Sequence, residues 1–162
     1  MNPIAVYPGS FDPITNGHVD IVRRSLQVFD QVIVAVAFNA QKDSAWFTPE
    51  ERTDMIRDTF RGDGKRVVAD AFSTLLVDYV SSKGAGVIIR GLRAVADFEY
   101  EFQMTMMNRH LKSQIETIFM MAGEAHFYTS SRLVKEVVML GGDVEGLVPD
   151  VVLERLKAKV RS

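Results

Sequence analysis

The chain has 162 residues, 47% of them apolar and 25% charged, which predicts a single globular domain over residues 1–162 with a proper hydrophobic core. The formal net charge of −2 argues against nucleic-acid partners, which need a basic face, and the absence of cysteine excludes disulfides and thiolate zinc sites. Neither a membrane span of about 20 apolar residues nor a signal sequence is evident, so we expect a cytosolic protein without a membrane partner.

Strand-like apolar runs alternate with amphipathic segments of helical length along the chain. The predicted strands are Ile4–Tyr7, Val32–Phe38, Val67–Phe72, Val87–Ile89 and Ile115–Met121. The predicted helices are Val19–Phe29, Pro49–Phe60 (with Thr48 as N-cap), Leu75–Lys83, Phe98–Leu111 and Ser131–Leu140, and a sixth that begins near Pro149. This alternation predicts an α/β fold, a doubly wound five-stranded parallel sheet with a C-terminal helical extension.

Polar clusters follow the carboxyl ends of four predicted strands, which is where ligands bind in open α/β folds. In chain order these clusters are Ser10 to His18, Lys42, Arg90 to Arg93, and Tyr128 to Ser131. In the first cluster we expect Gly9 to permit a tight turn and Gly17 to let phosphate approach the backbone. Cationic side chains, hydroxyls and two helix N-termini at one sheet edge predict a polyanion site, most economically one for a nucleoside triphosphate.

Each cluster also has a purely structural alternative. The alternatives are a local cap at His18, a solvated loop at Lys42, ion pairs of Arg90 or Arg93 with Asp97 or Glu99, and an N-cap at Ser130 or Ser131. The aromatic and methionine-rich stretch Phe98–Leu111 favours core packing or a subunit interface over base stacking.

Residues 7–18, with the sequence Tyr-Pro-Gly-Ser-Phe-Asp-Pro-Ile-Thr-Asn-Gly-His, resemble the opening signature of the bacterial phosphopantetheine adenylyltransferases. These enzymes belong to the nucleotidylyltransferase superfamily, which carries a Thr/His-x-Gly-His motif. Residues 47–52, 89–101, 107–111 and 130–137 are also similar to the family, in the same order. The opening motif alone marks only the superfamily, whereas the block 89–101 is much more specific.

The resemblance implies transfer of the adenylyl group of ATP to 4′-phosphopantetheine, which yields dephospho-coenzyme A and pyrophosphate. It also implies a homohexamer, and Mg²⁺ held mainly by substrate phosphates, with no metal site built from protein residues. By matching position, His18 would stabilise the transition state. The implied ATP-binding residues are Ser10, Phe11, His18, Gly91, Leu92, Arg93, Glu101, His126, Phe127, Tyr128, Thr129, Ser130, Ser131 and Arg132. The implied phosphopantetheine-binding residues are Ser10, Lys42, Leu76 and Arg90.

Two residues depart from the family pattern, which usually has an aromatic residue followed by Ser-Phe-Ile-Ser-Ser-Ser. Here His126 holds the first of these positions and Arg132 the last. The rival interpretations are another small nucleotidylyltransferase acting on nicotinamide mononucleotide or on glycerol or choline phosphate, a nucleotide-binding regulatory module, and a synthetase fragment. The block 89–101 argues against the other nucleotidylyltransferases. Basic residues beyond those that a triphosphate needs argue against the regulatory module, and the lack of an anticodon-reading extension and of a basic face argues against the synthetase fragment.

Overall fold

A single all-parallel sheet of five strands forms the centre of the molecule, in the order β3-β2-β1-β4-β5. The computed structural model describes residues 3–41 and 44–162. The strands are β1 (Ile4–Gly9), β2 (Gln31–Ala37), β3 (Val67–Phe72), β4 (Val87–Leu92) and β5 (Glu116–Met121). The predicted doubly wound, five-stranded parallel sheet is therefore confirmed, with strand ends that differ by a few residues.

Six α-helices flank the sheet within the described part of the chain. They are α1 (Asn16–Ser25), α2 (Pro49–Thr59), α3 (Leu76–Ser82), α4 (Val95–Leu111), α5 (Ser131–Met139) and α6 (Asp150–Arg161). The last of them is the predicted C-terminal extension, and Thr48 caps α2 as predicted. The predicted start of the first helix at Val19 was wrong, because Thr15 caps a helix that begins three residues earlier, at Asn16. A 3₁₀ segment at Arg61–Arg66 was not predicted.

The sheet is covered on both faces, which explains the nearly continuous apolar sequence of β1 and β2. Along β2, Val34 and Val36 point to one core cluster, and Ile33 and Ala35 point to the other, as the two-residue period of a strand requires. The first cluster includes side chains of α1, α2, α5 and α6, and the second includes those of α3. None of the helices in residues 3–41 and 44–162 is long and apolar enough to cross a membrane.

The strand order places β1 beside β4, although α1, β2, α2, β3 and α3 separate them along the chain. Ala5 pairs with Val87 and Val6 with Ile88. The chain turns to α1 on one face of the sheet after β1, and reaches β4 from α3 on the opposite face. A crevice opens at the carboxyl ends of such neighbouring strands in doubly wound folds.

Candidate active site

A cavity of about 570 Å³ lies at the carboxyl ends of β1 and β4. Its walls come from the turn after β1, the start of α1, the end of β4, the first half of α4 and the segment that precedes α5. The site residues predicted from the sequence that line it are Ser10, Phe11, His18, Arg90, Gly91, Arg93, Glu101, His126, Thr129, Ser130, Ser131 and Arg132. The structure thus brings together three of the four polar clusters.

Other residues assigned to the site lie elsewhere. Leu92 is buried at the end of β4, and Leu76 packs against the second core cluster at the start of α3. Phe127 and Tyr128 are exposed, with their rings perpendicular to each other. Lys42 lies outside the described residues. These four described side chains do not line the cavity, so their assignments stay predictions from the resemblance.

The turn after β1 is made by Phe11, which has a positive φ of 46°. The prediction that Gly9 permits the turn was wrong, since Gly9 is the last residue of β1 and has no positive φ. A Cβ on Gly9 would lie 3.0 Å from Cζ of Phe11. Gly9 therefore makes room for the Phe11 ring, which contacts His18 edge-on at a centroid distance of 5.0 Å.

The first turn of α1 holds His18 through a capping box. The backbone N–H of Thr15 donates to Nδ1 of His18 at 3.0 Å, and Oγ1 of Thr15 accepts the backbone N–H of His18 at 3.4 Å. Because Nδ1 accepts a hydrogen bond, the proton of the neutral imidazole is on Nε2. His18 therefore offers an N–H donor at the cavity wall, and the expected local cap is present as well.

The imidazole of His18 is neutral at physiological pH. Burial against Tyr7 and Phe11, followed by the positive charge of Arg93, lowers the pKa of His18 from 6.5 to about 4. A neutral ring donates one hydrogen bond without titrating near pH 7. The site can thus use His18 as a fixed donor to developing negative charge.

Arg90, at the end of β4, is anchored from two sides. Its Nε and Nη2 donate to Oε2 and Oε1 of Glu101 at 2.8 and 2.6 Å, and its Nη1 donates to the carbonyl of Pro8 at 3.1 Å. Burial alone would lower the pKa of Arg90, but the hydrogen bond and charge of Glu101 raise it above its ordinary value. The alternative pairing of Arg90 with Asp97 or Glu99 was therefore wrong, and its partner is Glu101.

Arg93 has looser contacts than Arg90. Its Nε lies 3.6 Å from Oδ2 of Asp97, which is one of the expected structural partners. Its Nη1 donates to the carbonyl of Thr129 over 3.5 Å. Two long contacts restrain the side chain weakly, so Arg93 can turn toward an anion in the cavity.

The segment before α5 supplies hydroxyls and a helix N-terminus. Oγ of Ser130 accepts the backbone N–H of Leu133 at 3.1 Å, which confirms the N-cap alternative, and Oγ of Ser131 donates to the carbonyl of Pro13 at 2.7 Å. Oγ1 of Thr129 and Nδ1 of His126 are buried and have no hydrogen-bond partner among the described residues. The N-terminus of α5 also lies at the cavity, because Ser131 and Arg132 line it, and the first N–H groups of a helix have no partner within the helix.

Sequence reasoning missed the residues that hold the turn after β1 in place. Asp12 is only 4% exposed. Its carboxylate accepts hydrogen bonds from Nζ of Lys135 at 2.6 Å and from the backbone N–H groups of Trp46 and Phe47 at 3.0 Å each. The buried guanidinium of Arg52 donates to the carbonyl of Ser10 at 3.0 Å. The one available signal was the position of Asp12 inside the opening motif.

The donor set of the cavity suits phosphate groups. The two acidic residues that line it, Asp97 and Glu101, are each paired with an arginine. Across residues 3–41 and 44–162, no group of three or more histidine, aspartate or glutamate side chains could hold a metal ion. Imidazole, guanidinium, hydroxyl and helix-terminal N–H donors are the groups that bind phosphate oxygens.

Solved structures of nucleotide adenylyltransferases share the fold. A bifunctional NMN adenylyltransferase/ADP ribose pyrophosphatase from Francisella tularensis, complexed with AMP and a manganese ion, aligns with a TM-score of 0.74 at 16% identity. The alignment covers the whole of this chain and 50% of that one. A putative nicotinate-nucleotide adenylyltransferase from Vibrio parahaemolyticus aligns with a TM-score of 0.71 at 16% identity, over 100% of this chain and 98% of its own.

Sequence comparisons confirm the expected family. The model of the cytidylyltransferase-like family matches residues 6–137. Relatives named phosphopantetheine adenylyltransferase include those of Syntrophus aciditrophicus, 54% identical over 98% of this chain and 95% of its own length, and of Geotalea daltonii, 56% identical over 96% of both. That of Geobacter sulfurreducens is 56% identical over 96% of this chain and 94% of its own. The chain therefore belongs to the cytidylyltransferase-like family and, within it, to the phosphopantetheine adenylyltransferases.

Proposed function

We propose that the protein transfers the adenylyl group of ATP to 4′-phosphopantetheine and releases dephospho-coenzyme A and pyrophosphate. The observation that carries the proposal is the convergence of His18, Arg90, Arg93 and the N-termini of α1 and α5 on one cavity. Near full-length relatives at more than half identity bear the name of this enzyme. The cavity chemistry and the relatives support the same reaction.

The reaction joins two anions, and the site must reduce their repulsion. An oxygen of the 4′-phosphate attacks the α-phosphorus of ATP, a new P–O bond forms, and the bond between the α-phosphorus and the bridging oxygen breaks. Pyrophosphate leaves with the electron pair of that bond. The attacking phosphate monoester has a second pKa of about 6 and is largely dianionic at neutral pH, so no protein base is required.

His18 and the two arginines would carry out the charge stabilisation. The Nε2–H of a neutral His18 donates to an oxygen of the triphosphate as charge builds up there, while Arg90 holds the acceptor phosphate and Arg93 the nucleotide. Such positioning and charge stabilisation supply most of the rate enhancement in phosphoryl and nucleotidyl transfer. Lys42 would also hold 4′-phosphopantetheine, an assignment that comes from the resemblance alone.

Mg²⁺ is the cofactor that we propose for the nucleotide. Because Asp97 and Glu101 are already paired with arginines, the ion would be held by phosphate oxygens and water, as Mg²⁺ usually is in nucleotide sites. When bound, Mg²⁺ neutralises part of the triphosphate charge and makes pyrophosphate a better leaving group. The role of the protein is to place N–H donors around that complex.

The direct test is incubation with ATP, Mg²⁺ and 4′-phosphopantetheine, with mass detection of dephospho-coenzyme A and a coupled assay of pyrophosphate. Parallel reactions contain nicotinamide mononucleotide, glycerol phosphate or choline phosphate as the acceptor. We expect pyrophosphate release with 4′-phosphopantetheine only. Release with another acceptor alone would assign the chain to a different transferase, and ATP binding without release would favour a regulatory module.

We also propose a homo-oligomer, a hexamer by the resemblance. Large apolar side chains that are exposed in the single chain concentrate on α4 and β5, and they are Phe98, Tyr100, Phe102, Met104, Met106, Met107, Leu111, Ile118 and Met121. A concentration of exposed apolar side chains on neighbouring elements of this kind favours an interaction site. Its position on one helix and the neighbouring edge strand suits a repeated contact between copies of the chain.

A further inference from the structure

We propose that Glu101 is a positioning residue for Arg90 and acts on the acceptor phosphate through that guanidinium. The proposal rests on the function proposed above, in which Arg90 holds 4′-phosphopantetheine. It gives Glu101 a role besides the ATP contact that the resemblance implies. This role follows from the contacts of Arg90 and from the hydrogen count of its guanidinium.

Both carboxylate oxygens of Glu101 contact Arg90. Each accepts a hydrogen bond from the same guanidinium, at 2.6 and 2.8 Å, and the Glu101 side chain is only 12% exposed. A bidentate pair of this kind fixes the plane of the guanidinium as well as its position. With Pro8 as the third acceptor, Arg90 is held by α4 and β1 together.

The anchored guanidinium still has donors for a ligand. An arginine carries five N–H hydrogens, and the contacts of Arg90 within the described residues use three of them, one each on Nε, Nη1 and Nη2. Each terminal nitrogen therefore keeps one hydrogen. Arg90 lines the cavity and its guanidinium is held in a fixed orientation, so its two remaining hydrogens suit a phosphate with two or three acceptor oxygens.

The charge of Glu101 also argues against a direct contact with the triphosphate. A carboxylate accepts hydrogen bonds and does not donate them, so it repels phosphate oxygens unless a cation stands between them. Here that cation is Arg90. Loss of the carboxylate should therefore loosen Arg90 without weakening the hold of the site on the phosphates of ATP.

The test compares Glu101→Gln with Glu99→Gln, which makes the same change at an exposed position of the same helix. The Michaelis constants for both substrates and kcat are measured by steady-state kinetics, and ATP binding is measured separately by calorimetry. We expect Glu101→Gln to raise the Michaelis constant for 4′-phosphopantetheine by roughly tenfold, which corresponds to the loss of one charged hydrogen bond. The dissociation constant of ATP should change less than this, and the Michaelis constants for both substrates should stay unchanged in Glu99→Gln.

A second comparison separates positioning from a general loss of structure. In an Arg90→Lys background the bidentate pair cannot form, so adding Glu101→Gln should change the acceptor constant little further. An equal, additive loss in that background would overturn the proposal. If Glu101→Gln does not fold, Glu101→Asp keeps the charge but shortens the arm, and it should shift the same constant.

Different results would contradict the proposed function and the proposed role of Glu101. If the proposed function is wrong, the unaltered protein forms no dephospho-coenzyme A at any concentration of acceptor. If only the role of Glu101 is wrong, the unaltered protein is active and Glu101→Gln weakens ATP binding instead, with an unchanged acceptor constant.

Discussion

Thr15 and His18 cap the first helix reciprocally, each accepting a backbone N–H from the other. The bond from Thr15 to Nδ1, at 3.0 Å, decides which ring nitrogen of His18 carries the proton. The capping box thus pairs backbone N–H groups at the start of α1 and also leaves the Nε2–H of His18 as the donor of the site. Different substitutions of His18 can therefore separate its contribution to stability from its contribution to catalysis.

Replacement of His18 by alanine should lower turnover by about 10²–10³, because one preorganised donor to the reacting phosphates is lost. ATP binding and the fold should persist. His18→Asn is the matched variant, since its side-chain oxygen can still accept the capping N–H but cannot place a donor at the same depth. Steady-state kinetics and thermal unfolding of both variants check the prediction. Near-normal turnover in either one would remove His18 from the mechanism.

The low pKa of His18 makes stability depend on pH. Since the folded state holds this pKa near 4 and the ordinary value is 6.5, the unfolded chain binds an extra proton between these values. The contribution to stability is complete above pH 6.5 and is lost as the pH falls toward 4. Urea unfolding should show that the free energy of unfolding falls between pH 7.5 and pH 5. This fall should be larger in the unaltered protein than in His18→Asn, by up to about 2 kcal/mol. Parallel curves for the two proteins would contradict the assignment.

Thr129→Val should stabilise the unliganded protein by about 1 kcal/mol, because it replaces a buried hydroxyl that lacks a partner in the described part of the chain with a methyl group. Thr129→Ser is the control. It keeps the hydroxyl and deletes the methyl group, so it should lower the melting temperature. A lower melting temperature for the valine variant than for the unaltered protein would mean that the hydroxyl is hydrogen-bonded.

Lys135→Met should cost about 2 kcal/mol of unfolding free energy, because it leaves the buried carboxylate of Asp12 without its cation. Arg132→Met is the control on the same helix. It removes a pair with Glu136 in which the arginine side chain is 89% exposed, and it should cost less than about 1 kcal/mol. Chemical denaturation measures both. Equal costs would show that the buried position of Asp12 adds nothing to the pair.

A charge on the exposed apolar surface of α4 should weaken assembly. Met107→Glu places a carboxylate among the apolar side chains of α4, and light scattering coupled to size-exclusion chromatography should report a smaller mass. Leu140→Glu provides the control, since Leu140 is 89% exposed at the end of α5, outside α4 and β5. A change of mass in the control alone would place the contact elsewhere.

Local signals predicted the elements well. The N-cap predicted at Thr48 marked the start of α2, and the two hydrogen bonds of its capping box with Glu51 are present at 3.1 and 2.8 Å. At α1 the corresponding position is held by His18, not by glutamate, so the same motif was not recognised and the helix start was placed too late. Apolar runs that alternate with helical segments were sufficient to predict the parallel sheet, because both faces of its central strands β1 and β2 are buried.

The sequence predicted that polar residues gather at the site, but it did not predict which charged side chains pair with one another. Polar residues after parallel strands must gather at one sheet edge, which holds for His18 and Arg90. The partner of Arg90 depends on how α4 docks against β4, and the spacing of charges along the chain did not single out Glu101. The contact of Asp12 with Lys135 joins residues 123 positions apart and depends on tertiary packing.

The strand order has a consequence for when the pocket can exist during synthesis. The strands β1, β2 and β3 neighbour one another in both sequence and space, so they can pair before the rest of the chain emerges from the ribosome. The other wall of the cavity forms only when β4 pairs with the free edge of β1 and the segment before α5 has been synthesised. A nascent chain that stops at β3 already contains His18 and its cap, but it lacks Arg90 and the N-terminus of α5. The ability to bind a nucleotide is therefore acquired late in translation.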